Sequence, residues 1–172
     1  EPHFRSISVP VRRYDDAIRD YGEAIKADPS YALAYNNRGV LHFERKNDLD
    51  RAKADYDRAI SIDPNYAFAH NNRANVLKRK GDLDAAFRDY DKALAINPKY
   101  DGAYRNRADA FRQRGDLVQA LTDYNKAIEL NPKFQAAYFG RARVHDAKGE
   151  FDQAIGDYTK VLTLYDKHVE AM

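Results

Sequence analysis

The sequence predicts an all-α solenoid in which antiparallel pairs of helices stack on one another. The first observation is an internal repeat: DYDKALAINP, which ends at Pro98, returns as DYDRAISIDP, ending at Pro64, and as DYNKAIELNP, ending at Pro132. These prolines lie 34 residues apart, and Pro29 precedes Pro64 by 35. The second observation is a glycine that recurs inside the repeat, at Gly81, Gly115 and Gly149. A fixed period of this length is typical of solenoids, whose units bury their apolar faces against their neighbours.

Composition narrows the function classes. One third of the 172 residues are charged and 44% are hydrophobic, which is ordinary for a globular helical protein. The net charge of +2 gives no strong bias toward nucleic acid or an anionic membrane. Cysteine is absent, so disulfides, thiolate metal sites and thiol nucleophiles are excluded. No apolar run approaches the roughly 18 residues that would predict a membrane span.

The first residue is Glu1 rather than methionine, and no basic and then apolar leader follows it. We therefore expect a fragment or a processed chain whose true N-terminus is missing. The compartment stays open: the cytoplasm is slightly favoured, and export is the alternative because a targeting signal would have been lost with that terminus.

Residues 1–12 do not fit the repeat. Pro2 and Pro10 bracket a short run of β-favouring residues, which predicts an extended segment. From 13 to 27 the apolar residues recur at helical spacing, as in the second helix of a repeat. We interpret 13–31 as a half repeat. The helix on which it should pack is absent, or is supplied by residues 1–12 or by another molecule.

The unit that ends at Tyr100 shows how each full repeat is built. Its apolar spacing predicts a first helix over 67–79 and a second over 83–96. Gly81 should end the first helix, because glycine takes the left-handed cap at little cost. Asp82 should cap the second helix, which ends before Pro98 because a residue preceding proline avoids the helical region.

The repeat sets the boundaries of the predicted units. The full repeats are 32–66, 67–100, 101–134 and 135–168, and residues 169–172 form a C-terminal stub. In the first full repeat Asn47 replaces the glycine and one extra residue is present, which predicts a longer turn or a π-bulge. No polar capping helix follows the last repeat, so Val161, Leu162 and Leu164 are expected at an exposed apolar end.

An arginine recurs in every full repeat, followed 16 or 17 residues later by an aspartate. We interpret each as an ion pair across the helix pair, because a partly buried arginine needs a carboxylate. The alternative, a row of arginines that binds phosphates, is less favoured. The predicted structural pairs are Arg38–Asp55, Arg73–Asp89, Arg107–Asp123 and Arg141–Asp157.

The residues inside the repeats resemble those of the tetratricopeptide repeat family over about 13–168. The motif residues of one repeat are Tyr35, Gly39, Ala52, Tyr56, Ala59 and Pro64, and those of another are Tyr104, Ala108, Phe111, Gly115, Ala120, Tyr124, Ala127 and Pro132. The chain departs from the family in its recurring arginines, where leucine is commoner, and in Asp166, which replaces the last proline. The resemblance implies a right-handed superhelix of antiparallel helix pairs, whose first helices line a concave groove. It also implies a non-enzymatic scaffold that binds other proteins and needs no cofactor.

Asparagine recurs along the face that the resemblance assigns to the groove, at Asn37, Asn72 and Asn106. A side-chain amide both donates and accepts, so this line could hold the backbone of an extended peptide. The alternative is that these asparagines cover a solvated face or bond the next repeat. Gly140 interrupts the line. The further groove candidates are Asn36, Asn71, Asn75, Arg105, Asp109, Phe139 and Arg143.

Near the ends of the same helices lie more charged residues: Lys78, Arg79, Arg112, Glu44 and Asp146. Taken together, the predicted groove carries a small excess of positive charge, which favours a partner with acidic residues. Phe68 and Phe139 are candidate anchors for a partner side chain. Packing on a neighbouring helix is an equal alternative for both.

The chaperone-binding branch of the family holds a C-terminal carboxylate with lysine, asparagine and arginine from three successive repeats. Asn75 and Asn106 match its asparagines, but Asn71 stands in place of its first lysine. Ala136 and Gly140 stand in place of its basic pair. Beginning one repeat earlier fails at Asn36 and Val40. This departure disfavours binding of chaperone tails by that set.

Catalysis has no support in the sequence, since the five histidines are scattered and no metalloprotease or phosphate-loop motif occurs. We therefore predict a protein-interaction module that binds an extended peptide. One alternative is self-association through the unpaired helix at 13–27 or the apolar C-terminal end. The other is RNA binding by helix-pair repeats, as in pentatricopeptide proteins, which the low net charge disfavours.

Overall fold

The computed structural model describes residues 11–169, and the side chains of residues 13–165. The all-α prediction is confirmed over this range, which contains nine helices and no strand. The helices are α1 (Val11–Ala27), α2 (Ala32–Glu44), α3 (Leu49–Ile62), α4 (Ala67–Lys80), α5 (Leu83–Ile96), α6 (Asp101–Arg114), α7 (Leu117–Leu130), α8 (Gln135–Lys148) and α9 (Phe151–Val169).

Residues 1–10 of the predicted extended segment lie outside the described residues. The prediction also placed Val11 and Arg12 in this segment, and that part is wrong because both residues belong to α1. The reason is visible in the spacing, since Val11, Tyr14 and Ile18 continue one apolar stripe at helical intervals.

The helices form hairpins, α2 with α3, α4 with α5, α6 with α7 and α8 with α9, and α1 packs on α2. Successive first helices also contact one another, so that α4 touches both α2 and α6, and α6 touches α8. Successive second helices make no such contact within residues 11–169. Successive repeats therefore pack more closely through their first helices than through their second helices. We call the inner surface of α2, α4, α6 and α8 the concave groove.

The turns inside the repeats follow the predicted chemistry. Gly81 has a φ of 87°, in the left-handed region, and its N–H caps the end of α4. Asp82 Oδ1 then accepts a hydrogen bond of 3.0 Å from Ala85 N–H at the start of α5. In the first full repeat Asn47 takes the left-handed conformation, with a φ of 51°. The extra residue lengthens the turn to 45–48, and no π-bulge forms in α2.

Tyrosines and alanines of the second helices pack with alanines and valines of the first helices to form the core. Tyr56, Tyr90 and Tyr124 are almost fully buried, and the alanines beside them let the helix backbones approach closely. The Tyr124 ring also lies directly beside Gly140, where a Cβ would stand 2.5 Å from Tyr124 Cζ. An asparagine at this position would therefore require the Tyr124 ring to move.

Each recurring arginine donates two hydrogen bonds to the aspartate of its own repeat. Arg73 Nε and Nη2 reach Asp89 Oδ2 and Oδ1, each at 2.6 Å. Burial alone would raise the pKa of Asp89, but hydrogen bonds from Arg73 and His70 outweigh it, and the pKa lies below its usual value. The same two-point geometry, at 2.6 to 2.9 Å, joins Arg38 to Asp55, Arg107 to Asp123 and Arg141 to Asp157.

Three of these arginines also reach the preceding repeat, a contact that the spacing analysis missed. Arg73 Nη1 donates to Asp57 at 2.8 Å, and Arg107 Nη1 donates to Asp91 at 2.6 Å. Arg141 Nη1 donates to Asn125 at 2.6 Å. Each of these guanidinium groups therefore ties three helices together and belongs to the scaffold.

The outer side of α9 is apolar and exposed. Phe151, Ile155 and Leu162 are 62% to 65% exposed. One period earlier, Leu117, Leu121 and Ile128 pack against the core that α7 shares with α8. The predicted apolar end is thus present at Leu162, while Val161 and Leu164 are half-buried.

Candidate functional site

A cavity of about 440 Å³ opens in the concave groove where α2, α4 and α6 meet. Its walls combine side-chain amides, cationic groups and one aromatic ring. The lining residues are Phe43, Glu44, Asn71, Asn72, Asn75, Lys78, Arg79, Arg105 and Asn106. Because all of them lie on α2, α4 and α6, the geometry of this cavity is set by the stacking of successive repeats.

The asparagines of the groove bond one another across the repeats. Asn72 Nδ2 donates to Asn36 Oδ1 at 3.0 Å, and Asn106 Nδ2 donates to Asn71 Oδ1 at 2.9 Å. Within repeats, Asn36 and Asn71 each donate to the next asparagine, at 3.2 Å. The structure therefore shows the bond to the next repeat that the sequence left as an alternative. Among these amides, Asn106 Oδ1 and Asn37 Nδ2 have no hydrogen-bond partner within the described residues.

The two kinds of asparagine differ in exposure. Asn36 and Asn71 are buried, being 5% and 3% exposed, and Asn71 also donates to Tyr100 OH at 3.2 Å. Asn72 and Asn106 are half-buried and line the cavity. Asn36 offers little surface to a peptide. Asn37 is half-buried but lies outside the cavity, nearer the start of the chain.

A tyrosine hydroxyl from the second helix supports a polar groove residue in three repeats, a contact that was not predicted from the sequence. Tyr90 OH donates to Asn75 Oδ1 at 2.7 Å, and Tyr124 OH donates to Asp109 Oδ1 at 2.5 Å. Tyr158 OH donates to Asp146 Oδ2 at 2.9 Å. The 15-residue separation of the first two pairs was the available signal.

Charged groups gather at one end of the cavity. Arg105, Asp109 and Arg112 follow one another on one face of α6, and Lys78 approaches them from α4. Arg105 Nη1 donates to Asp109 Oδ2 at 3.0 Å, whereas the nearest contact of Arg112 with Asp109 is 3.9 Å. Burial lowers the pKa of Lys78, and the two arginines lower it further against the attraction of Asp109.

The remaining predicted groove residues lie away from the cavity. Phe139 is 48% exposed, and its ring meets Tyr158 of its own repeat with the centroids 5.8 Å apart. Phe68 is similarly exposed and packs against Tyr100, at 4.9 Å. Arg143 is exposed on α8. The aromatic candidates therefore have intramolecular partners and retain a free face.

His42, His70 and His145, the histidines whose side chains the structure describes, lie on three different helices. His70 is buried, with Nε2 3.0 Å from the Pro64 carbonyl oxygen and Nδ1 3.5 Å from Asp89. His42 is buried near Asp55, and His145 contacts Glu150 at 2.6 Å. Across the part of the chain that the structure describes, no group of three or more potential ligands could hold a metal ion. None of the helices within 11–169 has the length and apolar character to cross a bilayer.

Models of known protein families match the sequence over almost the whole described chain. Models described as tetratricopeptide repeat match residues 11–67, 67–100 and 135–168, and one described as TPR repeat matches 108–149. The chain belongs to the tetratricopeptide repeat family. Its members are typically non-enzymatic modules that bind other proteins.

Solved structures of tetratricopeptide proteins share the fold. PilW, described as a widely conserved type IV pilus biogenesis factor, matches with a TM-score of 0.82 and 25% identity, over 90% of this chain and 71% of that one. MamA matches with a TM-score of 0.76 and 24% identity, over 91% of each chain. The first TPR region of Spaghetti (RPAP3), bound to the HSP90 peptide SRMEEVD, matches with a TM-score of 0.65 and 27% identity, over 69% of this chain and 93% of that one. No curated protein matches the sequence.

Proposed function

We propose that this tetratricopeptide protein binds an extended segment of another protein in its concave groove, centred on the cavity between α2, α4 and α6. The observation that carries the proposal is the row of half-buried amides along the cavity. Asn75 Oδ1 is held by Tyr90, which orients its Nδ2 group, and Nδ2 has no acceptor among the described residues. Asn106 uses Nδ2 to bond Asn71 and keeps Oδ1 available.

Such amides suit the backbone of a peptide. An extended chain presents N–H and C=O groups at regular intervals, and a side-chain amide whose orientation is already fixed bonds them without a large loss of entropy. The inter-repeat bonds of Asn72 and Asn106 supply this orientation. The peptide-bound structure of Spaghetti supports the proposal, because its fold covers more than two thirds of this chain.

The partner segment is proposed to carry acidic residues. Lys78, Arg79 and Arg105 line the cavity with a single opposing carboxylate, Glu44, at its edge. A cleft lined by charge of one sign attracts a segment of the opposite sign and increases its association rate. This preference refines the proposal, and loss of acidity in the partner would not abolish its backbone contacts.

The test is a pull-down with the wild-type chain, followed by mapping of the captured segment and measurement of its affinity for variants. The double substitution Asn72→Ala and Asn106→Ala should weaken binding by about tenfold, because oriented amides leave the cavity. The matched control is Asn125→Ala, which also removes an inter-repeat hydrogen bond, to Arg141, but lies on a second helix outside the groove. Equal affinities for the double variant and the control would contradict the proposal.

Self-association through α9 is the second candidate. The apolar side chains Phe151, Ile155 and Leu162 are exposed, although their counterparts one period earlier are packed. A second copy of the chain could cover them and remove this surface from water. Sedimentation over a concentration series distinguishes the candidates: a dimer that Ile155→Lys dissociates favours self-association, and a monomer at high concentration excludes it.

A further inference from the structure

The charged end of the cavity is short of acceptors. Lys78, Arg105 and Arg112 bring three cationic groups to one carboxylate, Asp109. Both oxygens of that carboxylate are already used, Oδ1 by Tyr124 at 2.5 Å and Oδ2 by Arg105 at 3.0 Å. Asp109 therefore neutralises one of the three cations at most.

The donors that remain are partly desolvated. Arg105 Nε and Arg112 Nε are buried and have no hydrogen-bond partner. Arg112 has no close carboxylate among the described residues: its approach to Asp109 is 3.9 Å, and its other polar neighbour is the Tyr124 hydroxyl. Buried donors normally find an acceptor, and a buried cation normally finds an anion. The described part of the chain therefore does not supply an acceptor for these guanidinium Nε groups.

Lys78 also lacks an ion-pair partner in the part of the chain that the structure describes. No carboxylate of the described residues forms an ion pair with its amine, and Asp109 acts on it only from longer range. Asn75 lies one turn earlier on α4 and adds an amide donor without an acceptor. Donors from two successive repeats therefore lie close together: Asn75, Lys78 and Arg105 line the cavity, and Arg112 lies near Lys78.

We infer that this end of the cavity, where Lys78 and Arg105 form the wall and Arg112 lies beside them on α6, binds the carboxylate of an acidic side chain in the partner segment. The inference rests on the proposed groove function and identifies one point of recognition within it. A carboxylate supplies two acceptor oxygens and a negative charge, and a guanidinium group can bind it through two hydrogen bonds. The cavity continues past this point along Asn72 and Asn106, so it has room for the peptide to run on from the acidic residue.

The experiment uses three short peptides of defined sequence with the ¹³C,¹⁵N-labelled chain. The first is acetyl-Ala-Ala-Glu-Glu-Ala-Ala-amide, the second replaces both glutamates by glutamine, and the third is acetylated hexa-alanine with a free C-terminal carboxylate. At an ionic strength of about 20 mM, where screening is weak, the glutamate peptide should shift the signals of Asn75, Lys78 and Arg112. It should also raise the pKa of the Lys78 amine, read from its ¹³Cε chemical shift against pH.

Two double variants provide the comparison. Lys78→Gln with Arg112→Gln should weaken binding of the glutamate peptide by about tenfold. Lys92→Gln with Lys133→Gln removes the same charge from exposed positions on α5 and the turn after α7, and should leave binding within about twofold. Circular dichroism checks that both variants remain helical.

The outcomes separate this inference from the proposed function. Equal binding of the glutamate and glutamine peptides, or no binding of either, overturns the carboxylate site. Binding of the free-terminus peptide alone would show that the site takes a chain end rather than a side chain, which also contradicts the inference. In each of these cases a captured partner that still depends on Asn72 and Asn106 would leave the groove function standing.

Discussion

The repeats in the middle of the chain and the units at its two ends share one sequence pattern but differ in how they are joined. Between α3, α4 and α5, Arg73 binds carboxylates of two successive second helices. Arg38 on α2 occupies the equivalent place and binds Asp55 in the same way, but Gly22 stands where the preceding carboxylate would be. A Cβ at Gly22 would lie 3.8 Å from Arg38 Nη1, so the gap is one side chain wide.

The other end differs in apolar contacts rather than in charge. Phe87 and Leu94 on α5 are buried against the following repeat, being 8% and 7% exposed. Their equivalents on α9, Ile155 and Leu162, are more than 60% exposed. In a solenoid, stability is close to a sum of repeat terms and interface terms. The comparison therefore indicates that the central interfaces hold the stack together and that the ends are its weakest units.

The largest effect is expected when an arginine is removed from the centre. Arg73→Met leaves Asp89 buried without its cation and should cost about 3–5 kcal/mol of unfolding free energy. Arg38→Met should cost about 1 kcal/mol less, because Arg38 has no inter-repeat carboxylate to lose. Urea unfolding followed by circular dichroism measures both. Identical losses would show that the bridge to Asp57 contributes nothing.

Replacing one glycine in a central interface and one in the terminal helix α9 by alanine compares the packing of these two regions. Gly140→Ala places a Cβ against the Tyr124 ring and should cost about 1–3 kcal/mol. Gly156→Ala, on α9, meets no atom within 4 Å and should instead stabilise the helix by up to about 1 kcal/mol. Melting temperatures give the signs directly. A stabilising Gly140→Ala would mean that Tyr124 moves aside freely and that the central interface is looser than described.

Acid should lower the free energy of unfolding by protonating Asp89 in the central repeats. The decrease should be smaller than the one caused by Arg73→Met. The folded-state pKa of Asp89 lies below its unfolded value of about 3.9. The stabilisation that Asp89 gives to the folded state is therefore complete above about pH 4. It is lost as the pH falls through the lowered pKa. Urea midpoints between neutral pH and acid should fall less steeply for Asp89→Asn than for the wild type. Parallel curves would contradict the role given to this carboxylate.

The smallest effect is expected from filling the gap at the first interface. Gly22→Asp should bring α1 under the same restraint as the central helices, through an ion pair with Arg38. Gly22→Ala is the control, because helix propensity alone favours alanine over aspartate by about 0.5 kcal/mol. Hydrogen exchange of the α1 amides should nevertheless be slower in Gly22→Asp. Faster exchange than in Gly22→Ala would show that no such pair forms.

Periodicity predicted the fold because the decisive signals are local. The left-handed turn at Gly81 and the cap at Asp82 each depend on one or two residues, and both recur in phase with the repeat. The partner of Arg73 in its own repeat followed from the constant interval to Asp89. The second partner, Asp57, did not, because it depends on the offset between stacked hairpins, and one repeat's pattern does not encode that offset.

The candidate site shows the same limit. Asn72 and Asn106 were predicted to line the groove, and both lie on the cavity wall. Their bonds to Asn36 and Asn71 were only one of two alternatives, since residue spacing cannot distinguish a solvated amide from one that bonds the next helix. Lys78 and Arg112 were both expected near the groove, but their common neighbour Asp109 could not be predicted, because that proximity depends on the stacking of α4 on α6.

Site-directed cross-linking of a captured partner tests the central claim most directly. The sequence lacks cysteine, so Glu44→Cys places a single thiol at the edge of the cavity, and Lys92→Cys places one on the exposed side of α5. After coupling to a photoreactive maleimide, Glu44→Cys should form an adduct that mass spectrometry assigns to one extended segment of the partner, with acidic residues near the cross-linked position. Lys92→Cys should form none. Adducts from Lys92→Cys with none from Glu44→Cys would place the partner outside the concave groove and contradict the account.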